Sequence, residues 1–443
     1  MSEVNTGKQS SIVRVAIASL IGTSIEWYDF FLYGAAATVV LGPLFFSPKL
    51  SPVAATLSAF ATFAVGFLAR PVGGIVFGHY GDKLGRKTML VLTLMIMGIS
   101  TFLVGCLPPY SVAGVWAPIL LVILRFAQGF AVGGEWGGAV LIATEHSPSA
   151  RRGFYGSWPQ MGVPVGVILS SLIFSWASST FSHQDFLAYG WRIPFWLSIV
   201  LIAVGLFIRL RIEETPDFEQ VKQSEAVVSM PVIEVLRHNW KTVLLAGGAF
   251  FVVNGSFYIF ITFIVSYGTT LVLHLPASVF FNATLAGAVI SLIVLPLSGI
   301  ISDRTGRLPI YLAGAVVLAV AAFPMFWLID TKNPGLIILA LCIGQFGLSM
   351  MYGPQAAFFS ELFGANVRYS GASLGYQLAS VLAGGLAPTI ATALIIWSSG
   401  GSWSIALYLI AMSIITLVST YFAGETRPRA VREGIATEGA AGQ

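Results

Sequence analysis

Gly78-His79-Tyr80-Gly81-Asp82-Lys83-Leu84-Gly85-Arg86-Lys87 is the stretch on which the fold turns. It packs one acid, three basic residues and glycines at 78, 81 and 85 into a short segment with long apolar runs on either side. A charged turn this tight between two such runs reads as a reversal at a membrane surface. The pattern recurs in the second half of the chain as Gly299-Ile300-Ile301-Ser302-Asp303-Arg304-Thr305-Gly306-Arg307, with Leu308 where the last basic residue should stand. Other residues repeat in step with it: Gln128 and Glu145 correspond to Gln345 and Glu361, and Arg152 to Arg368. A unit duplicated at this scale is a common architecture among membrane transporters.

Composition supports lipid as the solvent. Of 443 residues, 56% are hydrophobic and only 9% charged, against about 25% charged in soluble domains. A stretch of about 20 apolar residues is needed to cross a bilayer as a helix. Twelve such spans are predicted, at 15–41, 52–79, 88–108, 115–143, 153–181, 191–211, 241–270, 277–302, 309–329, 335–359, 370–397 and 403–423. They divide into an N-terminal six-helix bundle (1–211), a charged linker (212–240), a C-terminal bundle (241–423) and a short tail (424–443). With both termini inside, eighteen Lys and Arg fall on inner segments and only Lys49, Arg192 and Lys332 on outer ones. That bias predicts cytoplasmic termini in a multi-pass inner-membrane protein. The net charge of +4 is dispersed over short loops and does not suggest nucleic-acid binding. Cys106 and Cys342 lie in apolar stretches without metal spacing, and read as small buried residues with no disulfide. Met1 to Arg14 is polar and does not read as a cleaved signal peptide.

The 78–87 loop matches GxxxD(R/K)xGR(R/K) at every fixed position, and the chain from about 15 to 423 thereby resembles the major facilitator superfamily. Narrower matches are Glu26-Trp27-Tyr28-Asp29-Phe30, Arg125-Phe126-Ala127-Gln128-Gly129-Phe130, Gly133-Gly134-Glu135-Trp136-Gly137-Gly138, Gly190-Trp191-Arg192-Ile193-Pro194-Phe195 and Glu214-Thr215-Pro216. These are similar to the metabolite:proton symporter family, whose members carry organic acids, shikimate, proline or betaine with protons. Gly134 to Gly138, with Tyr369 to Gln377, most resembles the shikimate-type branch. The resemblance implies two pseudo-symmetric six-helix bundles, alternating access, and a proton gradient as driving force with no cofactor. It also implies a carrier that works as a monomer. The short tail without heptads departs from the coiled-coil tail of the osmosensing betaine and proline carriers.

Charges inside the spans carry the functional reading, because each is expensive in lipid. Glu26 and Asp29 are three residues apart on one part of a helix, where burial and mutual repulsion disfavour the ionised form of one of them. Asp29, Glu26 and Glu135 are the candidate proton carriers. Arg125 is the candidate to hold a substrate carboxylate or to neutralise Asp29, with Gln128 and Trp136 on the same side of its helix. Related proton symporters pair an acid in helix 1 with an arginine at this place in helix 4. The second half has no charge near Cys342, the counterpart of Arg125, so the first half is expected to couple protons. Tyr28, Gln160, Asn254, Tyr258, Tyr352, Tyr376 and Gln377 are the remaining candidates for a substrate cavity. Gly78, Asp82, Arg86 and Lys87 are expected to gate the cytoplasmic face, with Asp303, Arg304 and Arg307 as a second copy. Arg70 reads as snorkelling to the headgroups. Gly162-Val163-Pro164 and Gly353-Pro354 are expected to bend their helices.

The sequence therefore predicts a proton-coupled symporter of a small polar metabolite, foremost an organic acid such as shikimate, 2-oxoglutarate or citrate. The alternatives are a zwitterion (proline or betaine) symporter and, further off, a membrane enzyme or channel. The five histidines all lie at span ends or in loops, no GxxxxGK[ST] occurs, and no metal or Ser/His/Asp constellation is present, so haem, ATP-driven and hydrolytic chemistry have no support.

Overall fold

In lipid a backbone N–H has no water to bond, so an apolar run must satisfy its own backbone as a helix. A computed structural model of the chain describes residues 12–36, 40–50, 52–211, 214 and 231–427. Its long helices are α1 (Ile12–Ala36), α2 (Pro52–Leu84), α3 (Arg86–Cys106), α4 (Trp116–Glu145), α5 (Arg152–Thr180) and α6 (Arg192–Leu210). After the linker come α7 (Trp240–Thr269), α8 (Ala277–Thr305), α9 (Arg307–Asp330), α10 (Pro334–Leu362), α11 (Arg368–Trp397) and α12 (Trp403–Ala423). Eleven are long and apolar enough to cross a membrane; α2, with Arg70, Asp82 and Lys83, is the twelfth. The chain is an all-α, multi-pass membrane protein with twelve long helices among the described residues.

Helices α1 to α6 pack mainly with one another, as do α7 to α12, and the two sets meet along α2–α11, α5–α8 and α5–α10. Small residues allow the tightest approaches. A Cβ on Gly129 of α4 would lie 2.0 Å from the carbonyl oxygen of Gly66 on α2, and one on Gly133 would lie 2.1 Å from that of Arg70. The turn glycines have a different role. Gly85 between α2 and α3 has φ +108°, and Gly306 between α8 and α9 has φ +105°, a backbone that favours glycine. This requirement explains why both copies of the loop motif keep that glycine.

Several sequence expectations change. Cys106 is exposed at the end of α3 rather than buried, and Cys342 is half-buried. Arg70 is 1% exposed and does not snorkel. Helices α5 and α10 run on through Pro164 and Pro354. A helix that keeps a proline within it can still bend there; further irregularities lie in α7, with π-helical turns at Ile259–Phe263 and Tyr267–Leu271, and in α11, at Ser380–Gly385. There α7 packs against the side-chain-free Gly384, whose Cβ would come within 2.7 Å of Asn254 Nδ2. Most of the linker and the ends of the chain lie outside the described residues, apart from Glu214, a helix at Pro231–His238 and the tail to Arg427.

Candidate functional site

One end of the bundle is held shut by two matching latches. Asp82, at the end of α2, accepts from the backbone N–H of Tyr369 (3.2 Å) and Ser370 (2.9 Å) at the start of α11, in the opposite half. Asp303, at the end of α8, accepts from Gly153 and Phe154 at the start of α5, both at 2.8 Å. Each carboxylate thus takes the free donors and the positive end of a helix from the other half. Arg86 pairs with Asp82 (3.5 Å) and Glu145 (3.6 Å), and Arg368 crosses from the second half to Glu145 (3.0 Å). In the second copy Arg307 pairs with Asp303 (2.6 Å) and Glu361 (3.2 Å). Gly78 lies against Ser370, 3.0 Å from its Cα to an added Cβ. Lys87 Nζ donates to the Leu210 carbonyl, closing the end of α6 (2.9 Å). The Arg304 side chain is exposed, and only its carbonyl joins the cluster, accepting from Arg427 (2.7 Å).

Two acids not among the expected gate residues complete the latches. Glu214 accepts from the N–H groups of Arg86 (3.0 Å) and Lys87 (3.1 Å), and Glu425 from those of Arg307 and Leu308, both at 3.0 Å. The signal was present: Glu214-Thr215-Pro216 recurs as Glu425-Thr426-Arg427-Pro428 after the last helix of each half.

Further in, a cavity is lined by Trp27, Asn254, Tyr352 and Tyr376, together with Phe250, Ser291, Gln345 and Ser349. Ser291 donates to Gln345 (3.3 Å), and Ser349 to Ser291 (3.0 Å). Tyr376 is stacked between Trp136 and Phe250, with centroids 4.2 Å away on each side. Because Tyr376 is two turns along α11 from Tyr369, this aromatic layer lies about 10 Å inside the latch. Trp136 Nε1 donates to Gln160 (2.9 Å), whose Nε2 donates to the Tyr352 carbonyl (3.2 Å), so both residues sit where the halves meet. A smaller cavity touches Glu135, Trp136, Gln160 and Tyr376. Tyr28 and Gln377 are elsewhere: Tyr28 donates to the Pro194 carbonyl (2.8 Å), and Gln377 to the Gly133 carbonyl (2.8 Å), as packing bonds.

The buried charges separate into two groups. Arg209, near the end of α6, is 3% exposed and lies between Glu26 (3.0 Å) and Glu135 (3.1 Å). It also donates to the Leu90 carbonyl. Asp29 faces another way. Its Oδ1 accepts from Ser198 Oγ (2.6 Å), and no ion pair to it is found among the described residues. The guanidinium of Arg125 lies 4.3 Å from the Tyr33 ring centroid and 4.8 Å from that of Phe30, and donates to Gln128 (3.2 Å), which donates to Thr101 (2.8 Å). No ion pair joins Asp29 to Arg125 among the described residues, although Asp29 and Phe30, whose ring Arg125 faces, are neighbours in α1.

The family model described as Major Facilitator Superfamily matches residues 20–388. A shikimate transporter of Escherichia coli (strain K12) is 42% identical over 417 residues, covering 92% of this chain and 93% of that one. A proline/betaine transporter of the same strain is 37% identical, covering 95% of this chain and 85% of that one. Among solved structures, a proton:xylose symporter of E. coli bound to 6-bromo-6-deoxy-D-glucose superposes with a TM-score of 0.77 at 16% identity, over 95% of this chain and 98% of that one. That likeness is one of fold.

Proposed function

We infer, for a chain that belongs to the Major Facilitator Superfamily and is a membrane transporter rather than an enzyme, that it imports a small organic acid together with protons. The observation that carries this reading is Asp29: fully buried in α1, next to Phe30, whose ring Arg125 faces, and bonded to a hydroxyl instead of a cation. Ionised, Asp29 competes with a substrate carboxylate for the Arg125 guanidinium. Protonated, it settles on Ser198 and leaves the guanidinium to the substrate. Loading is then linked to protonation through one shared cation. Glu26 and Glu135 are reserve proton sites, each already held by Arg209. The cavity residues Asn254, Tyr352 and Tyr376 hold the rest of the metabolite.

The proton gradient is the driving force, with no bound cofactor, and one chain suffices. The latch end is the cytoplasmic end, because it carries the basic loops, and both termini lie there in an inner membrane. The similarity to a shikimate transporter favours a cyclic or hydroxylated carboxylate as cargo. The test is uptake in reconstituted vesicles from a radiolabelled panel of shikimate, 2-oxoglutarate, citrate, proline and betaine, under an inward proton gradient. Uphill accumulation of an organic acid, collapsed by an uncoupler, is the expected result. Accumulation that ignores the uncoupler ends the proton-coupled reading, and accumulation of proline or betaine alone ends the organic-acid reading.

A further inference from the structure

Arg70 is an arginine in the wrong place for its surroundings. It lies in α2 with 1% of its surface exposed. Among the described residues no carboxylate comes within ion-pair distance of it. Its Nη1 donates to the hydroxyl of Tyr258 on α7, in the opposite half (3.3 Å). Its Nε and Nη2 have no hydrogen-bond partner among the described residues. Those two nitrogens form the edge of the guanidinium whose N–H bonds run parallel, the edge that grips a carboxylate with two bonds side by side.

The surroundings do not offset the charge. The guanidinium carbon lies 4.7 Å from the ring centroid of Phe30 and 4.3 Å from that of Phe67. Ring faces attract a cation weakly compared with what removing it from water costs. Nor is there slack in the backbone, because Gly133 holds α4 directly against the Arg70 carbonyl. A second buried cation, Arg125, faces the same Phe30 ring at 4.8 Å, which caps the separation of the two guanidiniums at the sum of their distances to it. Among the described residues none of the buried acids of the first half pairs with Arg70: Glu26 and Glu135 pair with Arg209, and Asp29 accepts from Ser198 through Oδ1. Two cations around one ring, one with its bidentate edge open, form a place for an anion.

We propose that Arg70 and Tyr258 share with Arg125, across the Phe30 ring, the anchoring of the transported metabolite's carboxylate. The carboxylate lies along Nε and Nη2 of Arg70, and the Tyr258 hydroxyl, already at Nη1, supplies a further donor from the second half. Asn254, one turn before Tyr258 on α7, lines the main cavity, so the anchor adjoins the space for the rest of the molecule. A ligand held this way ties α2 to α7, and its arrival is felt by both halves at once. The site discriminates a carboxylate from its ester or amide, because neither of those answers two parallel donors with charge. The proposal rests on the organic-acid reading only for the identity of the cargo, since proline and betaine also carry a carboxylate.

The experiment uses the purified full-length protein, with ligand-induced stabilisation against heat and uptake in proteoliposomes as readouts. The probes are shikimate, methyl shikimate, proline and betaine. Arg70→Gln keeps the length and polarity of the side chain and removes the charge and the fork. It is expected to lower affinity for whichever carboxylate the wild-type protein binds by about 100-fold or more, as loss of a bidentate charged pair does. Without ligand its melting temperature should equal or exceed that of wild type, since an unpaired buried charge has been removed. Arg70→Lys, with the charge but not the fork, should fall between. Unchanged affinity in Arg70→Gln overturns the proposal, as does a large drop in its ligand-free melting temperature with affinity retained. If wild type binds proline or betaine and no organic acid, the organic-acid reading fails and the anchor is scored on those ligands. If methyl shikimate binds wild type as tightly as shikimate, the anchor fails while transport of a shikimate-like molecule stands.

Discussion

Asp82→Asn should open the latch end of the molecule without unfolding it. The aspartate accepts two backbone N–H groups across the interface, at 3.2 and 2.9 Å. Asparagine has one acceptor oxygen and turns an NH2 group towards the other donor, so one bond is lost outright and the second loses its charge. A hydrogen bond to a charged group contributes about 1.5–3 kcal/mol, and a neutral one about 0.5–1.5. The closed state is therefore destabilised by roughly 2–4 kcal/mol, which shifts the closed-to-open ratio by about 30- to 1000-fold. Arg86 keeps Glu145, so the cluster does not collapse. Spin labels at Leu84 and Asn366, both exposed at this end and on opposite halves, report the change as a distance distribution. Wild type should give a single short population, and Asp82→Asn a dominant longer one, with transport impaired and membrane insertion intact. Distributions that coincide, or transport at the normal rate, would refute the latch. Asp303→Asn should act in the same direction through Gly153 and Phe154.

Asp29→Asn mimics the protonated acid and should lose accumulation driven by a proton gradient while keeping counterflow exchange, whereas Arg125→Ala should lose both. Uphill uptake by Asp29→Asn after a pH step would move coupling to Glu26 or Glu135. Arg209→Ala leaves two buried carboxylates without their cation, a change of about 3–5 kcal/mol for a broken buried pair, and should lower the melting temperature sharply; restoration by Glu26→Gln/Glu135→Gln in the same chain checks that charge is the cause. Glu425→Gln removes the charged cap from α9 and should weaken the second latch by about 0.5–2 kcal/mol, read with labels spanning α8 and α5. Cysteines introduced at Lys222 and Lys332 should react with an impermeant reagent from opposite sides of the membrane.

What the sequence shows depends on how far apart the partners lie along the chain. The helices were legible because an apolar run carries its own reason to be helical in lipid. The latch residues were legible because a duplicated loop marks Asp82 and Asp303 twice over. Their partners were not, since the N–H groups of Tyr369 and Gly153 belong to the opposite half and carry no side-chain signature. Arg209 shows the same limit: five residues before Glu214, it reads as a surface cation, and only the crossing of α1, α4 and α6 places it between Glu26 and Glu135. Arg70 was misread for the converse reason, as α2 runs on to Leu84 and leaves it more than three turns inside. The duplication itself has a mechanical consequence. Each half supplies an acid that caps a helix of the other, so the two latches are related by the same pseudo-two-fold that relates the halves. A rocking motion that separates Asp82 from α11 must also separate Asp303 from α5. The closed end is therefore lost as a unit, and a ligand that bridges α2 and α7 acts on both latches through one rotation.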